Sequence, residues 1–133
     1  MDDIVMGVDR NEERVKAQVQ SIKELPLNRD SVTVTILHIF SENPEGASAS
    51  QIGTVRHAAE ELEDSGFTVE MKATAGSPAS VITRVAEDKD ACLISVAGRK
   101  RSPSGKALFG STSQSVLLGT DVPVMVSGTS KKA

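Results

Sequence analysis

The residues whose types and spacing best suit chemistry lie in one stretch, Leu93 to Leu118. The apolar run Leu93-Ile94-Ser95-Val96-Ala97 is followed by the basic, glycine-bearing segment Gly98 to Phe109, and then by Gly110-Ser111-Thr112-Ser113-Gln114. Physically this is a buried strand, a loop and the start of a helix. Ser111 is placed to cap that helix, and Gln114 three residues later completes a capping-box pattern. A helix start offers unpaired backbone N–H groups and a partial positive charge, which suit a phosphate. Arg99, Lys100, Arg101 and Lys106 add full charges beside it. The expected chemistry is anion binding. Gly105-Lys106 does not make a P-loop, because the Gly-x-x-x-x-Gly-Lys-Ser/Thr spacing is absent.

Other reactive types are sparse. Cys92 is the one cysteine, so it forms no intrachain disulfide and belongs to no zinc-binding cysteine cluster. Its place in an apolar run marks it as an inert core residue. His38, alternating with apolar neighbours, reads as structural, and His57 lies in a helical stretch without an evident partner. Asp9 closes the first apolar run and is a candidate hydrogen-bond acceptor.

The 133 residues are 38% hydrophobic and 25% charged, which fits one folded domain with a real core. With no Trp or Tyr and three Phe, that core is aliphatic, and a base-stacking platform for single-stranded nucleic acid is not expected. A net charge of −3 and an isoelectric point near 5.4 disfavour nucleic acid and anionic membranes as partners. The basic segment is a local exception. No apolar run reaches the ~20 residues of a membrane span, and Met1-Asp2-Asp3 does not open like a signal peptide. A cytoplasmic protein is expected.

These features need elements to position them. Ile4–Val8 reads as a buried strand. Asn11 then caps a helix with Glu12 and Glu13 in its first turn and Val15, Val19 and Ile22 inside, ended by Pro26. Val32–Phe40 is a β-branched second strand. After the loop-like 41–48 segment comes a helix with Ile52, Val55, Ala59 and Leu62 on one face and Gly66 as its stop. Phe67, Val69 and Met71 alternate with polar residues, predicting a half-exposed strand near an edge. Ser77-Pro78 starts a third helix that buries Val81, Ile82 and Val85. Cys92–Val96 is a central strand, Ser111–Leu118 a last helix ended by Gly119, and Val122–Val126 a fifth strand. Residues 1–128 are read as one domain and 129–133 as a polar tail. The β-α alternation predicts an α/β fold, a parallel sheet with helices on both faces. Ligands of such folds bind beyond the strand C-termini where strand order reverses.

Several of these segments together resemble the universal stress proteins. They are Val8-Asp9, Leu37-His38-Ile39, Gly76-Ser77-Pro78-Ala79, the 97–111 loop and Val122-Pro123-Val124-Met125-Val126. The resemblance spans essentially the whole chain. It implies a five-stranded open twisted sheet of order 3-2-1-4-5, a homodimer paired through the fifth strand, and an adenine nucleotide such as ATP, with Mg²⁺, between strands 1 and 4. It implies binding positions at Val8, Asp9, Ile39, Ala97, Gly98, Arg99, Lys100, Gly110, Ser111 and Thr112, with the 41–50 segment as a lid. ATP-binding members carry Gly, two residues, Gly, nine residues, then Gly and Ser or Thr. Gly110-Ser111 matches the end of that signature, but Ala97 and Lys100 stand at its first two glycines. Glycine lets backbone N–H groups approach a phosphate closely, so Lys100 either blocks the contact or replaces it with a charge. Two other readings follow from the replaced glycines: a regulatory or protein-interaction module without nucleotide, and a site for a different small anion. No general base is evident, so catalysis beyond slow ATP hydrolysis is not expected.

Overall fold

The computed structural model describes residues 2–9, 11–40, 53–98 and 111–128. The strands are β1 (Asp2–Val8), β2 (Val32–Phe40), β3 (Thr68–Ala75), β4 (Leu93–Ala97) and β5 (Val124–Ser127). The helices are α1 (Glu12–Glu24), α2 (Gly53–Asp64), α3 (Pro78–Asp88) and α4 (Ser111–Gly119), with a 3₁₀ turn at Arg29–Ser31. All strands are parallel, in the order β3-β2-β1-β4-β5. That is the expected topology, with β1 flanked by β2 on one side and β4 on the other.

Side-chain alternation along β1 divides the core into two layers. Ile4, Met6 and Val8 face α1 and α2, where they join Val15, Val19, Ile22, Val55, Ala59 and Leu62. Val5 faces the other way and packs with Val81, Ile82 and Val85 of α3, with Ile94 and Val96 of β4, and with Val116 of α4. The anticipated helical faces are therefore the buried ones; Ile52 lies outside the described residues.

The helix boundaries follow the local signals. Asn11 caps α1 by accepting a 3.1 Å hydrogen bond from the Arg14 N–H. Gly66 ends α2 at φ +101°, a conformation that suits glycine, and the Phe67 N–H returns to the Leu62 carbonyl at 3.1 Å. Pro78 opens α3 behind Ser77, whose backbone is extended and whose side chain makes no capping bond. Gly76, just before it, sits at φ +143°, where a side chain would be strained.

Four expectations change. α4 includes Ser111 as its first residue, so the helix begins at the residue expected to cap it. Cys92 precedes β4 and is exposed, because the strand starts at Leu93. Partial burial, and then the nearby Asp2 carboxylate, push its thiol pKa up, which favours the protonated, unreactive form. β5 begins at Val124, after Pro123, whose carbonyl accepts from the Ile94 N–H at 2.9 Å. Finally, Val122, Val124 and Val126 are half-buried on the α3/α4 core rather than an exposed apolar edge. The exposed large apolar side chains nearby are Leu117 and Leu118 of α4.

β3 is an edge strand, as its alternation predicts, with Met71 exposed. Lys89 donates to Glu70 Oε2 there at 3.0 Å. No described helix is long and apolar enough to cross a membrane.

Candidate nucleotide cleft

β1 and β4 pair through Ile4–Leu93, Val5–Ile94 and Met6–Ser95, and the register ends there. β1 continues to Val8 beside β2, while β4 continues to Ala97 beside β5. The strands thus part at the point where the order reverses, and a cleft of about 250 Å³ opens at their C-terminal ends. Val8, Asp9, Ile39, Ala97, Gly98 and Thr112, all expected at the site, line it. The structure brings these six together. Arg99, Lys100 and Gly110 lie outside the described residues, as do Arg101, Lys106 and the 41–50 segment; Ser111 is described for its backbone alone.

On the β1 side, Asp9 is held by two contacts. Its Oδ1 accepts from the Asn11 N–H at 2.9 Å, and its Oδ2 accepts from Arg14 Nη1 at 2.9 Å. A carboxylate offers about four acceptor positions, so two remain for a ligand. Arg14, four residues before Gln18 on α1, lines the cleft with it. Gln18 is wholly buried, and its Nε2 donates to the Gly7 carbonyl at 2.9 Å and the Ser95 carbonyl at 3.3 Å. Among the described residues its Oε1 has no hydrogen-bond partner. His38 is buried opposite Val8, with Nδ1 at 3.2 Å from the Val8 carbonyl. A carbonyl only accepts, so that contact needs the proton on Nδ1.

On the β4 side the contacts are mainly backbone. The Gly98 N–H donates to the Ser127 carbonyl at 2.7 Å, which ties the end of β4 to β5. A Cβ at Gly98 would stand 2.8 Å from Val126 Cγ1, so glycine is what fits. Ser113, in the first turn of α4, donates from Oγ to the Ala97 carbonyl at 2.7 Å and docks the helix start on the strand end. Thr112 and Ser113 both line the cleft, in the turn whose N–H groups have no partner within the helix. Gly7 faces α3, where a Cβ would meet Ile82 Cδ1 at 2.7 Å. Ile82 and Val96 add apolar wall.

Arg14, Gln18, His38, Ile82 and Ser113 also line the cleft, and none of them belongs to the positions that the sequence points to. For Gln18 a signal existed: it falls in the stripe of Val15, Val19 and Ile22, so helical period alone puts an amide inside the core. Among the described residues no cluster of three or more His, Cys, Asp or Glu is suited to a metal ion. A second groove, of about 230 Å³, lies between α1 and α2 near Lys16, His57 and Glu61. It shares no lining residue with the cleft.

The fold and cleft define a doubly wound α/β domain with a crevice at its topological switch point. The sequence model of the universal stress protein family matches residues 1–127, and the chain belongs to that family. No curated protein matches it. Among solved structures, a universal stress protein from Archaeoglobus fulgidus is 26% identical with a TM-score of 0.78, over 96% of this chain and 98% of that one. Another from Archaeoglobus fulgidus, in complex with dAMP, is 20% identical with a TM-score of 0.73, over 96% and 98%. A family protein from Arabidopsis thaliana with AMP bound is 15% identical with a TM-score of 0.70, over 96% and 92%.

Proposed function

We propose that this chain is a homodimeric universal stress protein that binds an adenine nucleotide in the β1–β4 cleft and acts in stress adaptation. The observation that carries the reading is the convergence of Val8, Asp9, Ile39, Ala97, Gly98 and Thr112 on one cleft beside a helix start. The residues fit such a ligand. Val8, Ile39, Ile82 and Val96 supply apolar wall, Asp9 keeps acceptor positions for ribose or base, and the first turn of α4 supplies N–H groups and a dipole for phosphate. Arg99, Lys100, Arg101 and Lys106 neutralise phosphate charge, and Mg²⁺ enters with the phosphates rather than through a protein cage. Complexes of relatives with dAMP and AMP support the same reading.

Dimerisation uses β5, the end strand of the sheet order, whose outer backbone row has no strand partner among the described residues. Leu117 and Leu118 beside it add apolar surface. Light scattering across a concentration range should give the mass of a dimer; a constant monomer mass removes this part.

The nucleotide reading is tested by denaturing the purified protein, chromatographing what is released, and titrating apo protein with ATP and Mg²⁺. Bound adenine nucleotide or micromolar affinity is expected. Neither would leave the second reading, a regulatory or protein-interaction module, which Ala97 and Lys100 at the glycine positions favour. Lys100→Gly separates two roles within the nucleotide reading: tighter ATP binding marks Lys100 as an obstruction, weaker binding marks it as a phosphate ligand.

A further inference from the structure

The sheet has two edges, and the one opposite β5 is the longer. β3 runs for eight residues and pairs with β2 along its whole length, from Thr33–Thr68 to Phe40–Ala75, without a bulge. β5 has four residues and follows Pro123. β3 contains neither proline nor glycine, and its outer row of N–H and C=O groups has no strand partner among the described residues. An open row of this kind is a template for another strand.

The side chains on this edge say which strand fits. About Met71 the sequence reads much the same in both directions: Glu70 and Lys72 flank it, then Val69 and Ala73, then Thr68 and Thr74. Two copies laid antiparallel about a two-fold axis at Met71 set each residue against one that suits it. Residues directly opposite share a face, with Cβ atoms about 5 Å apart. On one face Glu70 meets Lys72 of the second copy and Lys72 meets its Glu70, with threonine against threonine beyond them. On the other face the two methionines meet between valine–alanine contacts. Val69 and Ala73 already pack on the α1/α2 core, whereas Met71 on the same face is 42% exposed. The second methionine covers it. Glu70 is 57% exposed and gives one acceptor position to Lys89 at 3.0 Å, so its carboxylate keeps others for a second lysine.

The charges also fix the register. Moving the axis by one residue sets Glu70 against Glu70 or Lys72 against Lys72, and like charges directly opposite are destabilising. A strand without this charge order leaves both groups unpaired, so the edge that deters a foreign strand admits a second copy.

We propose that β3 is a self-association edge on which another copy of this chain docks antiparallel across a two-fold axis at Met71. The contact is isologous, with the Glu70–Lys72 pair made twice. It rests neither on the nucleotide reading nor on the contact through β5, and a chain that uses both edges assembles beyond the dimer.

The test is sedimentation velocity across a concentration range on wild type, Glu70→Lys, Lys72→Glu and the double variant Glu70→Lys/Lys72→Glu. At the top of the range the wild type should reach twice the mass of either single variant, whose association should be weaker by about tenfold or more. Glu70→Lys presents two lysines and Lys72→Glu two glutamates, so an equimolar mixture of the two should regain the wild-type mass, as should the double variant. A contact through β5 shifts all of these proteins alike and leaves the twofold ratio in place. Covalent capture gives a second readout that needs no charge reversal. In a Cys92→Ser background, Met71→Cys should oxidise to a disulfide-linked pair faster than Lys72→Cys, whose opposite residue is Glu70. The proposal is overturned if wild type and both single variants share one mass at every concentration. It is equally overturned by a mixture that stays at the mass of its components, or by equal cross-linking at positions 71 and 72.

Discussion

On the β1 side of the cleft, Asp9, Arg14 and Gln18 meet the ligand space with side chains already engaged in hydrogen bonds to their own surroundings. On the β4 side, Ala97, Gly98 and the first turn of α4 meet it largely with backbone, held by the Gly98 N–H on Ser127 and by Ser113 on the Ala97 carbonyl. The first wall is adjustable residue by residue, whereas the second depends on the chain lying where it does. Selectivity should therefore reside mainly in the β1 wall. The capacity to bind at all should reside in the β4 wall.

The largest effect is expected from Gly98→Ala. The new Cβ falls 2.8 Å from Val126 Cγ1, inside the α3/α4 core layer, so β4 or β5 must shift. Overpacking of this kind costs about 1–3 kcal/mol, seen as a fall of roughly 5–10 °C in a thermal melt, and nucleotide affinity should drop with it. A melt and titration unchanged from wild type would show that the β4 wall tolerates displacement.

Gln18→Leu comes next. It keeps the side chain apolar and of similar size but leaves the Gly7 and Ser95 carbonyls without their donor. Urea unfolding should show a loss of about 1–2 kcal/mol, with an unchanged denaturant slope.

Arg14→Ala should do less to stability, under ~1 kcal/mol, because both partners of its ion pair are substantially exposed, at 36% and 47%. Its effect should appear instead in binding. Asp9 loses the contact that orients Oδ2, and ATP affinity is expected to fall by a few fold. If affinity responds to Arg14→Ala more than to Gly98→Ala, the division between the walls is reversed.

The smallest effect lies away from the cleft, at Glu70. The hydrogen bond and charge of Lys89 hold its carboxyl pKa below the ordinary value near 4.5. A depressed folded-state pKa means the unfolded chain takes up the proton first. The pair's contribution is therefore complete above the unfolded pKa and is lost as pH falls through the folded one. With Glu70 57% exposed, the contribution is about 0.5 kcal/mol or less. Stability curves of wild type and Glu70→Gln should differ by that amount at pH 7 and converge toward pH 3.

The elements were legible because their signals are local. Asn11, Gly66, Gly76 and Pro78 each act on one turn, and the period of Val15, Val19 and Ile22 needs nothing beyond its own helix. Six positions that line the cleft were legible because the family resemblance named them, five at strand ends and Thr112 in the first turn of α4. The β1 wall was not. Gln18 looks like any polar residue until its stripe is seen to be fully buried, and Arg14 gains its place only when α1 brings it back onto Asp9. Counting apolar residues alone passes over an amide that the core surrounds. Serines near a helix start are likewise interchangeable in sequence: the pattern points to Ser111 as the cap, whereas Ser113 is the one whose Oγ bonds the Ala97 carbonyl, a contact fixed by how α4 lies across β4. Cys92 illustrates the reverse error. One residue of difference in where β4 begins turned an expected core thiol into an exposed one.

The most direct test of the central claim is an amide ¹H–¹⁵N correlation spectrum of the protein titrated with ATP and Mg²⁺. The account predicts saturable shifts concentrated at Gly7–Asp9, Ile39, Ala97–Gly98 and Thr112–Ser113. Shifts centred on the groove between α1 and α2, around Lys16, His57 and Glu61, or no shifts at millimolar ATP, would contradict it.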